Sequence, residues 1–202
     1  MNLRQALLAI GAATAATAAI ADDGEPWQIP VEKPSYYLNV FGGQSMTILG
    51  SEDRRTGFGV GFGYGRPEPR FYANGVRSQL VFEAYYDHTS SRGASGQGPN
   101  KAESFGILAY GHWRWPKQRG GGLYATLGWG LQYTNRTSVD LDSHINSTPM
   151  VGFGVAWDTG QGEASIGLRL LHISNAGLVG RNQGQNQLFL VYTLRFLSLI
   201  HI

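Results

Sequence analysis

The chain has 202 residues and no cysteine, which excludes a disulfide framework and thiolate chemistry. Its formal net charge of +2 is too small to argue for nucleic acid as a partner. Glycine is abundant, at 29 residues, and aromatics make up 12%. On alternating runs behind a bacterial-type export signal, that pairing favours a β-barrel of the outer membrane.

Met1 to Ala21 reads as a secretory signal peptide (1–21). It has Arg4 in a short n-region, an Ala-rich apolar stretch from Ala6, and Ala19-Ile20-Ala21 as a cleavage site. The mature chain is expected to begin at Asp22. Residues 22–34 are polar and hold Pro26, Pro30 and Pro34, which makes them a loose lead-in. No later segment offers the roughly 18 uninterrupted apolar residues of a transmembrane helix.

From residue 35 to 196 the pattern has period two, and eight runs follow one another. The first spans about Tyr36 to Phe41 and extends toward Ile48. The second is Gly57 to Tyr64, with Phe58, Val60, Phe62 and Tyr64 on one face and glycines on the other. The third, Gln79 to Asp87, sets Leu80, Phe82, Ala84 and Tyr86 against Gln79, Glu83 and Asp87. The fourth, Ser104 to Trp115, sets Phe105, Ile107, Ala109, Trp113 and Trp115 against Tyr110, His112 and Arg114. The fifth is Leu123 to Tyr133, the sixth Met150 to Trp157, the seventh Glu163 to Ser174 and the eighth Gln187 to Phe196.

Most of these runs approach the ~9–11 residues that a tilted strand needs to cross a bilayer. An apolar stripe on one face and Gly, Gln, Glu, Tyr and Arg on the other suit a narrow barrel turned apolar side out. The expectation is an all-β, eight-stranded antiparallel transmembrane β-barrel, with a soluble lipocalin-like barrel as the competing architecture. Trp113, Trp115, Trp129, Tyr133 and Trp157 are expected near strand ends as interfacial girdles. Connections after the fourth and sixth runs are short and those after the odd runs long, as for periplasmic turns and external loops. The connection at 65–78 is longer than that rule predicts. Glu83, Asp87, Arg114 and Arg169 are expected to pair in the lumen. The tail 197–202, Leu-Ser-Leu-Ile-His-Ile, is also what a transposon sequencing adapter encodes in one frame, so the natural chain is expected to stop at Phe196.

The chemistry gathers between His172 and Gln187. His172 and Ser174 continue the parity of Ala164, Ile166, Leu168 and Leu170, and Asn186 begins the series Leu188, Leu190, Tyr192, Leu194 and Phe196. Side chains alternate along a strand, so the three should share the apolar face and meet by antiparallel pairing. A hydroxyl, a base two residues before it and a third group to orient the imidazole fit nucleophilic acyl transfer. The site would lie near the outer lipid interface, where polar groups facing lipid are tolerable.

His172-Ile-Ser-Asn-Ala-Gly at the outer end of the penultimate strand resembles the PagL family of outer-membrane lipid A 3-O-deacylases. The likeness is strongest over 172–187 and runs on to Phe196. It implies that Ser174 is the nucleophile and His172 the base, with Asn175, Gly177 and Asn182 helping to form the oxyanion and substrate-binding site. It also implies hydrolysis of the ester-linked 3-position acyl chain of lipid A in the Gram-negative outer membrane; no cofactor is implied, and a calcium requirement, as at phospholipase-like sites, stays open. One departure stands out: the family has a glutamate twelve positions after the serine, and here that position is Asn186. An amide oxygen can still orient the ring but cannot neutralise an imidazolium. The outer-membrane phospholipase A family looks similar at this site, with H-x-S-N and an asparagine as third member. A phospholipid esterase and a non-enzymatic barrel therefore stand as alternatives. The expected partners are lipid A or lipopolysaccharide and the surrounding membrane, with a homodimer allowed and no nucleic acid.

Other signals carry less. The glycine run from Gly57 lacks the G-x-G-x-x-G spacing and is read as barrel packing. Asp140, Asp142 and His144 could bind a cation but are expected to form a solvated loop. Arg92, Lys101 and Arg136 are external cations that either meet lipid A phosphates or stay solvated.

Overall fold

A computed structural model describes residues 33–68, 76–93, 98–116, 121–160 and 162–196. The expected signal peptide, the lead-in up to residue 32 and the 197–202 tail lie outside the described residues. Strands run β1 Ser35–Met46, β2 Arg55–Pro67, β3 Arg77–Ser91, β4 Asn100–Pro116, β5 Gly121–Thr134, β6 Ile145–Ser147, β7 Met150–Asp158, β8 Gly162–Ile173 and β9 Gln185–Phe196.

Each strand pairs antiparallel with its neighbours, and β1 closes on β9 from Tyr36↔Phe196 to Met46↔Asn186. Closure removes the sheet edges, which is what a strand protein needs in lipid. The sixth expected run is longer than its alternation suggests. β6 pairs with β5 at Leu131↔Ser147, and β7 resumes at Gly128↔Met150 in unbroken register. Pro149 has no N–H to give the ladder, so one continuous line is divided into β6 and β7. Eight staves therefore make the barrel.

The two faces differ as the period-two pattern requires. Phe58, Val60, Phe62, Phe82, Ile107, Leu127, Phe153 and Leu190 are exposed on the outside, while Gln79, Glu83, Asp87, Arg114 and Arg169 are buried in the lumen. Arg169 holds Glu83 through two bonds of 2.8 and 3.0 Å, and Tyr110 donates to the same carboxylate at 2.9 Å. Arg114 Nε lies 2.6 Å from Glu163 Oε2. Asp87 accepts a bond from Gln132 at 3.0 Å. Buried charges are tolerable when paired in this way. The glycine run of β2 faces this interior: a Cβ at Gly61 would collide with the Glu83 carboxylate, and one at Gly59 with the Phe41 ring.

At the short-turn rim, the Tyr36 ring stacks on Phe62 and Phe196 at 5.9 and 6.1 Å, and Trp157, three strands round the wall on β7, is exposed toward the same rim. Trp129 departs from the expected girdle. It stands within β5 opposite Ala109, well inside both rims.

Candidate active site

β8 and β9 carry the site to the long-loop end. His172 and Asn186 are direct cross-strand partners. They share the outward parity of Ile166 and Leu190, both of which are exposed. The imidazole Nδ1 lies 2.8 Å from Asn186 Oδ1. The opposite end of that amide is also fixed, because Asn186 Nδ2 donates to the Ile48 carbonyl at 2.8 Å. A backbone carbonyl only accepts, so the NH₂ group must point at Ile48 and the oxygen at His172. Nδ1 then carries the imidazole proton and Nε2 is left as the acceptor. Asn186 is 1% exposed although it shares that outward parity, because the β1–β2 connection lies over its amide, while His172 and Ser174 are half-buried.

Ser174 follows at the end of β8, two residues beyond His172, about 6–7 Å further along an extended chain. The β6 segment secures it. Ser147 N donates to Ser174 O at 2.7 Å, Ser174 N to Ser147 O at 3.0 Å, and the Ser147 hydroxyl also reaches Ser174 O at 2.9 Å. The Ser174 hydroxyl donates to Asn182 Oδ1 at 3.1 Å and accepts the Ala176 N–H at 3.1 Å. Among the described residues no hydrogen bond joins Ser174 to His172.

The loop after Ser174 is built from its own amides. Asn182 Oδ1 also receives the Asn175 N–H at 3.0 Å, which fixes the orientation of the Asn182 amide. Asn175 donates through Nδ2 to the Val179 and Arg181 carbonyls, and its Oδ1 takes the Gly177 N–H at 2.8 Å. Ala176 and Gly177 have φ of 56° and 75°, the left-handed turn that these bonds close. His172, Ser174, Asn175, Asn182 and Asn186 are thus brought together, while the Gly177 N–H is turned back onto Asn175. Among the described residues no acceptor takes the Asn182 Nδ2 protons.

Several supports were not legible in the sequence. Gly184 has φ of 77°, and a Cβ there would lie 2.7 Å from His172 Cε1. Of the three loop residues expected to be solvated, Asp142 and His144 are exposed but Asp140 is buried. Asp140 is 0% exposed, and its carboxylate accepts bonds from Ser51 Oγ, Glu52 N and Asp53 N. Asp142 accepts the Arg181 N–H at 2.7 Å. Leu178 and Val179 are exposed at the tip of the β8–β9 loop. Among the described residues no group of three or more His, Asp or Glu side chains is spaced to hold a metal.

A closed eight-stave antiparallel barrel with an outward apolar band and a charge-paired lumen is the architecture of an outer-membrane β-barrel protein. Residues 56–195 match the family model described as lipid A 3-O-deacylase (PagL), and the chain belongs to that family. The family acts as lipid A deacylase hydrolases in the Gram-negative outer membrane. The crystal structure of the outer membrane enzyme PagL is similar, with a TM-score of 0.62 at 19% identity, covering 78% of this chain and 97% of that one. Neisserial surface protein A is similar at a TM-score of 0.53 and 18% identity, over 82% of this chain and 97% of its own. Both likenesses concern the fold. Compared with curated proteins, the chain has no significant match.

Proposed function

We propose that this chain deacylates lipid A by serine chemistry, with Ser174 as nucleophile, His172 as general base and Asn186 as the group that orients the ring. The observation that carries this reading is the Nδ1 to Oδ1 bond of 2.8 Å between His172 and Asn186, with Ser174 next on the same face of the strand. The bond directs Nε2 away from Asn186, free to take the Ser174 proton. The serine oxygen then attacks the ester carbonyl of the 3-position acyl chain. Collapse of the tetrahedral adduct breaks the ester C–O bond, and His172 returns its proton to the departing sugar oxygen. Water, activated by the same imidazole, hydrolyses the acyl-enzyme.

The hydroxyl first has to turn from Asn182 toward His172, a rotation about single bonds. Catalytic bonds are often long or misaligned before substrate binds. The Ala176 N–H, which already donates to the Ser174 oxygen, and the Asn182 amide, which is bonded to the same hydroxyl, support an oxyanion role for this loop, with Asn175 and Gly177 shaping it. The exposed Leu178 and Val179 give the loop an apolar tip suited to acyl chains.

The test is the lipid A mass spectrum of cells making the wild-type chain or Ser174→Ala. Loss of one ester-linked acyl chain with the wild type and none with the variant is the expected result. An unchanged spectrum with both proteins inserted, or release of lysophospholipid instead, overturns it.

A further inference from the structure

An amide that replaces a carboxylate in a triad has a problem that a carboxylate does not. Its two ends differ. Rotated by half a turn, Asn186 would offer NH₂ to His172 Nδ1, drive the proton to Nε2 and remove the base. Something must hold the amide the right way round, and three observations converge on what does.

First, the Ile48 carbonyl receives Asn186 Nδ2 at 2.8 Å. Second, that carbonyl sits in a turn of unusual backbone. Leu49 and Gly50 have φ of 57° and 94°, and Ser51 N returns to Ile48 O at 3.2 Å. Consecutive positive φ values suit Asn-Gly, so a leucine in the first position is strained and persists only when its surroundings enforce it. Third, the enforcement is visible. The buried Asp140 carboxylate takes Glu52 N on one oxygen, at 2.9 Å, and Ser51 Oγ and Asp53 N on the other, both at 3.0 Å. The same segment holds the opposite flank of the site, because Gln183 N donates to Asp140 O at 2.9 Å.

We infer that Asp140 and the Leu49–Gly50 turn form an orientation lock, presenting the Ile48 carbonyl so that Asn186 keeps its oxygen on His172 and the imidazole keeps its proton on Nδ1. Ile48, Leu49 and Asp140 are positioning residues, since none of them touches the hydroxyl or the imidazole. The inference rests on the triad proposed above for its consequence in catalysis. Its structural content, the tautomer of His172, can be measured without any activity.

The experiment uses full-length protein labelled with ¹⁵N-histidine in lipid bilayers, with the His172 ring nitrogens assigned by comparison with His172→Gln. At alkaline pH the wild type is expected to show the Nδ1–H tautomer. Asp140→Ala is expected to give a mixture containing Nε2–H. Leu49→Pro is the second variant, because proline cannot adopt positive φ and the change is confined to an exposed loop tip. It should give the same mixture even where Asp140→Ala fails to insert. Heat-modifiable gel mobility reports the folded barrel. With either folded variant, kcat for lipid A should fall on the order of 10–100-fold with little change in KM, short of the ~10⁴-fold that full loss of the correct tautomer costs a serine protease. A folded Leu49→Pro with the wild-type tautomer overturns the lock. If Ser174→Ala retains deacylase activity, the triad falls while the tautomer measurement still decides the lock.

Discussion

Asn182 Oδ1 receives both the Ser174 hydroxyl, at 3.1 Å, and the Asn175 N–H, at 3.0 Å, so one amide oxygen ties the candidate nucleophile to the turn that follows it. The NH₂ of the same amide has no acceptor among the described residues and is our proposed oxyanion donor. Asn182→Ala should therefore remove a donor for developing negative charge and loosen the turn as well. A single oxyanion donor is worth about 10²–10³ in kcat, and a loss of at least that size is expected. Asn182→Asp keeps the acceptor for Asn175 but sets a negative charge beside the oxyanion, and it should be no more active than the alanine variant. Acyl release from lipid A measured with excess substrate checks both.

Gly184 backs the imidazole from the other side. Alanine there meets two obstacles, a φ of 77° and a Cβ position 2.7 Å from His172 Cε1. A left-handed non-glycine residue costs on the order of 1–2 kcal/mol, which a closed barrel should survive. The displaced ring is the larger effect, since a misplacement of about 1 Å can cost 10²-fold. Gly184→Ala should insert and run as a folded barrel while losing most of its kcat.

Period two made the strands, the two faces and the approach of His172 to Asn186 readable from the sequence, because each depends on local alternation and antiparallel pairing. The lumen pairs could be anticipated only as a set. That Glu83 takes Arg169, 86 residues away, is decided by closure of the barrel. The lock was not readable for two reasons. A leucine does not announce positive φ at position 49, and the Ile48 acceptor is a backbone carbonyl that leaves no mark on side-chain chemistry. Asp140 looks like any loop acid in Ser-Val-Asp-Leu-Asp. Only the fold brings Ser51, 89 residues earlier, against it and buries it. Pro149 hid the β6 segment by breaking the alternation between Ile145 and Met150.

The Glu83–Arg169 pair should set barrel stability more than activity. Removing one partner of a buried pair commonly costs about 3–5 kcal/mol because the other charge is left uncompensated. Arg169→Met should approach that figure, since Glu83 would be left with the Tyr110 hydroxyl. Glu83→Gln combined with Arg169→Met removes both charges and should recover part of the loss. Urea unfolding in lipid vesicles, followed by tryptophan fluorescence, gives the three free energies.

The outer face should show the depth dependence of a membrane wall. Val60 and Thr56 lie on the same outward row of β2, Val60 near the middle and Thr56 opposite Gln44 toward the long-loop end. Arginine facing lipid costs about 2–4 kcal/mol at mid-bilayer and about 0–1 near the interface. Val60→Arg should therefore destabilise the inserted barrel by several times as much as Thr56→Arg in the same unfolding measurement. Equal costs at the two positions would mean that the apolar band is not centred on Val60. Because the row continues on neighbouring strands through Val40 and Tyr86, its centre also fixes how far below the outer interface the His172 and Ser174 end of the barrel can sit.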